Sequence, residues 1–221
     1  MFAGMILLFA VSGVLAQETG PEAVIRELNG TVELQRKDSE EWEKAVQGQI
    51  IIPDTIISTG FKSNVIISVG ESIISVRPLT RLSFREIRNI AGTETISVSL
   101  QAGRVQADVT QPSGTQSSFS IQSPSVTAST RGTVFEMSVY ELVVLEGTVE
   151  YLSGSAAPVL VDAVGYSFVN TKTGRAVPPG AALKAAISPD MPIGNDVFNS
   201  FDTGASQSVQ NVEVKAKINY N

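Results

Sequence analysis

NVIISVGESIISV, residues 64–76, sets two runs rich in Val and Ile, Asn64–Val69 and Ser72–Val76, on either side of Gly70-Glu71. Val and Ile are branched at Cβ and stiff at χ1, which disfavours a helix and suits a pleated, half-buried surface. Both runs have the ordinary length of a strand and are too short for a helix with an apolar stripe. The stretch reads as strand, turn, strand.

The same texture extends in both directions. Upstream lie AVIREL (23–28), the turn dipeptide Asn29-Gly30, TVELQR (31–36), IIIP (50–53) with Pro53-Asp54, and TIIST (55–59) ending at Gly60. Downstream come TRLSFRE (80–86), ETISVSL (94–100), RVQADV (104–109), FSIQS (119–123) and VTAST (126–130). TVFEMSV (133–139), ELVVLE (141–146), TVEYL (148–152) and APVLVDAVGYSFV (157–169) complete the series. Short alternating runs separated by regular turn signals predict an all-β domain over residues 22–170.

Three segments share the form x-G-x-V-[EQ]: Asn29-Gly30-Thr31-Val32-Glu33, Ala102-Gly103-Arg104-Val105-Gln106 and Glu146-Gly147-Thr148-Val149-Glu150. Their unequal spacing excludes a solenoid of fixed period. They read as equivalent bends at which Gly supplies positive φ or a close backbone approach, one bend per coil of an irregular β-solenoid or roll. Three unrelated hairpin turns are the simpler alternative.

The two ends differ from the middle. Residues 2–16 are uncharged, mostly apolar and short of the roughly 20 residues of a membrane span. They end Val14-Leu15-Ala16, so residues 1–16 are expected to be a signal peptide cleaved after Ala16. Contact with a membrane is then expected only through an uncleaved N-terminal segment. Residues 171–221 read as a loop-rich extension, with two helical turns at AALKAAI (181–187). The alternation of Val212, Val214, Ala216, Ile218 and Tyr220 with polar residues predicts a final strand.

Composition narrows the chemistry. The 221 residues include no His and no Cys. His is the commonest general base and metal ligand, and Cys the thiolate nucleophile and structural zinc ligand. The net charge of −6 argues against nonspecific nucleic-acid binding, which needs clustered Lys and Arg. No G-x-G or G-K-[ST] phosphate loop is present. No catalytic residue, cofactor or metal is therefore expected. A two-carboxylate glycosidase stays open as an alternative, because its carboxylates need not be sequence neighbours.

The order of several motifs adds a further pointer. Gly30-Thr31-Val32, Trp42, Gly48, Asp54–Gly60 and Ser68–Ser72 are followed by Pro78–Leu82, Leu100–Val105, Arg131–Phe135 and Glu146–Val149. Over about residues 22–152 this series resembles the FecR domain family. The ordered set, above all Arg131-Gly132-Thr133-Val134-Phe135 before Glu146-Gly147-Thr148-Val149, carries the resemblance. It implies a coiled or roll-like all-β domain outside the inner membrane, in the periplasm or otherwise exported. In the best-known members the domain stands behind a cytoplasmic anti-sigma region. The expected role is a non-enzymatic envelope module whose partner is a protein or a cell-wall polymer. A sensor that relays an outer-membrane event to a membrane partner is the alternative.

Within that frame Arg131 is a candidate for binding a partner carboxylate, against an ordinary bend in which Arg131 pairs locally. Arg77, Arg81 and Arg85 fall on one face by strand parity, with Arg88 completing the basic cluster; an acidic partner or a solvated outer face both fit. Trp42 is expected to bury its large apolar ring. Gly30, Gly103, Gly132 and Gly147 are the candidate structural glycines.

Overall fold

The computed structural model describes residues 22–90, 93–111, 114 and 116–187. The expected signal peptide and the predicted strand near Val212–Tyr220 lie outside these residues. Within them the chain is almost entirely strand and forms two open nine-stranded sheets.

The first sheet takes β1 (Ala23–Asn29), β4 (Ile50–Ile51), β6 (Asn64–Val69), β7 (Ser72–Val76), β10 (Arg104–Val109), β13 (Thr133–Ser138), β14 (Glu141–Glu146), β17 (Gly165–Asn170) and β18 (Arg175–Val177). The second takes β2 (Val32–Gln35), β3 (Glu43–Lys44), β5 (Ile56–Thr59), β8 (Arg81–Ile90), β9 (Thr93–Ala102), β11 (Gln116–Gln122), β12 (Thr127–Thr130), β15 (Thr148–Leu152) and β16 (Val159–Asp162). From β5 onward the chain lays strands singly or as hairpins into alternate sheets, so both sheets grow in the same direction. One step is a full coil: β9 crosses to β10 in the first sheet and returns as β11, which pairs in parallel with β9. The roll-like all-β expectation is met by this alternation.

Period-two patterning makes the sandwich. Inward positions of the first sheet include Ile25, Ile67, Ile74, Val105, Phe135, Met137 and Leu142, all fully buried. The second sheet contributes Ile57, Leu82, Phe84, Val98, Phe119, Ile121, Val149 and Tyr151 to the same core. Each such side chain contributes about 1.5–3 kcal/mol by leaving water. Phe119 and Phe135 meet edge to face across the two sheets at 6.2 Å. The Tyr151 hydroxyl, deep in this core, donates to the Tyr140 carbonyl at 2.9 Å. Burial and the nearby Glu141 push its phenol well above the usual range.

The three x-G-x-V-[EQ] segments are corners where the chain changes sheet. Gly30, Gly103 and Gly147 adopt φ of 78°, 85° and 78°, and the Val two residues later is buried each time. Each corner nests against another. A Cβ on Gly103 would collide with Thr80 and the Leu79 carbonyl, one on Gly30 with Ser63, and one on Gly147 with Thr133. Gly132, at φ 149°, marks the β12–β13 corner in more open surroundings.

Buried hydroxyls bind adjacent corners together. Thr59 Oγ1 donates to the Arg77 carbonyl at 2.6 Å and accepts from the Thr80 amide at 2.9 Å. Thr80 Oγ1 accepts from the Arg104 amide at 3.0 Å and donates to its carbonyl at 3.1 Å. Ser63 Oγ accepts from the Thr31 amide at 2.8 Å. On the opposite edge Thr133 donates to Thr130, which donates to the Thr148 carbonyl. Backbone bonds such as Leu79 N–H to the Gly60 carbonyl join the corners only in part, and the hydroxyls take up backbone groups that remain, among them the Thr80 and Arg104 amides.

Two expectations need correction here. Residues 157–169 are not one strand: the chain turns at Ala163-Val164 to pass from β16 in the second sheet to β17 in the first. Val164 occupies positive φ, 61°, and is followed by Gly165, where a Cβ would collide with the Asp162 carbonyl. The stretch 171–180 is not loop throughout, because Arg175–Val177 pairs with Phe168–Asn170 as β18. The helix α1 (Pro179–Ile187) follows β18 and covers the segment predicted to be helical.

Candidate interaction surfaces

With the core closed, the outward faces of the two sheets carry the polar chemistry, and they differ in kind. On the first sheet an ionic chain crosses four strands. Arg77, just past β7, donates to Glu136 of β13 at 3.0 Å and to Gln106 of β10 at 2.9 Å. Arg104 at the head of β10 bridges Glu136, at 3.3 Å, and Glu141 of β14, at 3.1 Å. The Tyr166 hydroxyl of β17 donates to Glu141 at 3.3 Å. Burial first, and then the Glu141 charge, raise the Tyr166 phenol. Each exposed pair is worth only about 0.2–1 kcal/mol. Their effect is to hold two guanidinium groups and two carboxylates in fixed positions. Beside them Val143 lies opposite Tyr166, and Tyr166 and Phe168 pack at 5.9 Å.

The basic residues singled out by parity do not share one face. Leu79, at φ 55°, turns the chain between Arg77 and Arg81, so Arg77 lies on the first sheet and Arg81 and Arg85 on the second. Parity counts only within a continuous strand, and this corner breaks it. Arg81 lies over Trp42, with its guanidinium 5.3 Å from the ring centroid. Trp42 is 37% exposed rather than buried. It precedes the short edge strand β3, beyond which no further strand lies among the described residues, and the cation–π contact takes the place of core packing. Arg85 approaches Asp54 at 3.9 Å. Asp54 also accepts from Lys37 at 2.7 Å, which holds its carboxyl below the usual range. Arg88 pairs with Glu86. Arg131 is exposed at the β12–β13 corner, beside Gly132.

Arg104, Glu136, Glu141 and Tyr166 were not singled out by sequence reasoning. Arg104 sits inside a bend motif and the two Glu at outward positions of separate strands, so only the β10–β13–β14 pairing reveals the group.

The outward face of the second sheet is of another kind across β9, β11 and β12. Its positions are Thr93, Thr95, Ser97 and Ser99, then Gln116, Ser118, Ser120 and Gln122, then Thr127 and Ser129. The pairing runs without a bulge: Ser97 lies beside Ser120, and Ser120 beside Ser129. No side-chain hydrogen bond ties up any of these groups among the described residues, unlike the corner hydroxyls. On the inner side of the same strands Glu94 lies beside Ser117, both buried, and the Ser117 hydroxyl lacks a partner. Burial, reinforced by Glu71, raises the Glu94 carboxyl.

Among the described residues no group of three His, Cys, Asp or Glu is placed to hold a metal ion, and no helix is long and apolar enough to cross a membrane. The geometry defines an all-β module with two chemically distinct outer faces. Residues 55–150 match the family described as FecR protein. That span runs from β5 into β15 and includes Arg77, Arg104, Glu136 and Glu141. A search of curated proteins finds no match. Two crystal structures of a proposed anti-sigma factor from Parabacteroides distasonis ATCC 8503 align with a TM-score of 0.46 and 13% identity. The alignment covers 60% of this chain and 64% of that one.

Proposed function

We propose that this protein is an exported, non-catalytic FecR-type module that takes part in envelope signalling by binding a protein partner on the outer face of its first sheet. The observation that carries the reading is the Arg77–Glu136–Arg104–Glu141 chain beside Val143, Tyr166 and Phe168. Protein interfaces are enriched in Arg and aromatic side chains around a less charged centre. Here the charges are already oriented by one another, so little side-chain freedom is lost on docking. The FecR match supports a signalling context, and the apolar leader at residues 2–16 supports export.

The test is site-specific photocrosslinking in cells that make the protein. A photoreactive residue at Val143 should give protein adducts, and the same residue at Asp162, on the second sheet, should not. Glu136→Arg in the Val143 background should abolish the adducts while the protein still accumulates. Absence of Val143 adducts, or adducts indifferent to Glu136→Arg, would reject this face as the docking surface. Turnover of a glycan or peptide by the purified protein would reject the non-catalytic reading.

A further inference from the structure

We infer that the outer face of β9, β11 and β12 binds a neutral, extended polysaccharide, independently of the protein-docking face on the other sheet. The face is a lattice of hydroxyl and amide groups, spaced about 4.8 Å across strands and about 6.8 Å along them. From Thr95 to Ser99, from Gln116 to Gln122 and at Thr127 and Ser129, every outward side chain is Ser, Thr or Gln.

Three properties select the ligand. First, the strip itself carries no charge; on its β8 border Arg88 is paired with Glu86, and on its β15 border the single carboxylate of Glu150 lies beside Ser129. An anionic polymer gains nothing from it, and a cationic one meets only Glu150 at its edge. Second, it lacks the aromatic and Arg anchors of a protein interface, which the first sheet does possess. Third, its hydroxyls make no side-chain hydrogen bond among the described residues. The buried hydroxyls of Thr59, Ser63, Thr80, Ser123, Thr130, Ser153 and Ser167, by contrast, hydrogen-bond within the fold.

A surface kept polar only for solubility is ordinarily rich in Lys and Glu. Ser and Thr are short and lose little rotamer freedom when a ligand orders them, whereas Lys and Glu lose much. A hydroxyl both donates and accepts, and so does each hydroxyl of a sugar. The regular pairing of β9, β11 and β12 keeps the strip free of bulges, as an extended chain requires. A neutral polyhydroxylated polymer therefore matches the strip group for group.

The experiment is native affinity electrophoresis of the full chain in gels containing hydroxyethyl cellulose, glucomannan or dextran, with polygalacturonate as the charged comparison. At least one neutral polysaccharide should retard the chain, and polygalacturonate should not. The triple variant S97A/S120A/S129A should bind at least ~10-fold more weakly, since three hydrogen-bonding groups are lost. Ser118→Glu, a single exposed change that adds charge, should abolish retardation. Asp108→Ala on the other sheet should leave it unchanged, and circular dichroism establishes that each variant is folded. Failure of all three neutral polysaccharides to retard the chain overturns the inference. So does undiminished binding by both the triple variant and Ser118→Glu, or equal retardation by polygalacturonate. Because the readout is glycan retention, its failure leaves the Val143 crosslinking result untouched.

Discussion

Two sets of hydroxyls among the described residues contrast with each other, and the contrast separates architecture from recognition. Those at the corners, such as Thr59 and Thr80, are buried and doubly bonded to backbone. Those on the strip around Ser120 face outward and make no hydrogen bond with the other described residues. The same chemical group serves as mortar in one place and as an unoccupied lattice in the other. What differs is the backbone beneath: a corner leaves amides and carbonyls without ladder partners, whereas a continuous strand leaves none.

The hardest way to break that contrast is to crowd a corner. Gly103→Val should lose on the order of 3–5 kcal/mol in denaturant unfolding, combining positive-φ strain with collision against Thr80 and the Leu79 carbonyl. Gly147→Val should behave alike. Gly132→Val should lose about 1–3 kcal/mol, from strain without collision. Equal losses at all three would mean that corner nesting contributes nothing.

Removing mortar comes next. Thr80→Val should lose about 1–3 kcal/mol, because the Arg104 amide is left without its acceptor. On the inner side of the strip's own strands, Glu94→Gln should raise the melting temperature at pH 7. The folded protein holds the Glu94 carboxyl above its unfolded value, so the ionised form opposes folding at neutral pH. The advantage should shrink as pH falls through the carboxylate range and both states of the native protein become protonated. A constant difference across pH would assign the effect to packing. The smallest effect belongs to the strip: Ser120→Ala should change stability by no more than about 0.5 kcal/mol. A loss there to match Thr80→Val would collapse the two populations into one.

Strand positions were highly legible. Asn64–Val69, Ser72–Val76, Arg104–Val109, Glu141–Glu146 and Thr148–Leu152 have the same bounds in the structure as in the sequence reading. Alternation of Val and Ile with polar residues encodes them locally. What stayed hidden was assignment to sheets, because an inward Val looks alike in either. Hence Arg77 and Arg81 seemed to share a face until Leu79 proved to be a corner, and the turn at Val164 passed unseen. The strip's Ser and Thr alternation was visible in FSIQS and VTAST. Its assembly onto one surface required the β9–β11 parallel pair, which no local pattern announces.

That parallel pair also governs how the molecule bears load. Hairpins at either end of the sandwich present their hydrogen bonds to a pulling force one at a time and would peel away in sequence. β9 and β11 run in the same direction with β10 between them in the chain, so tension enters at the head of one and leaves at the tail of the other. Their bonds are then strained together in shear. Stretched from its two ends, the domain would unravel from the outside and stop at this coil, a mechanical clamp beneath the strip of outward hydroxyls.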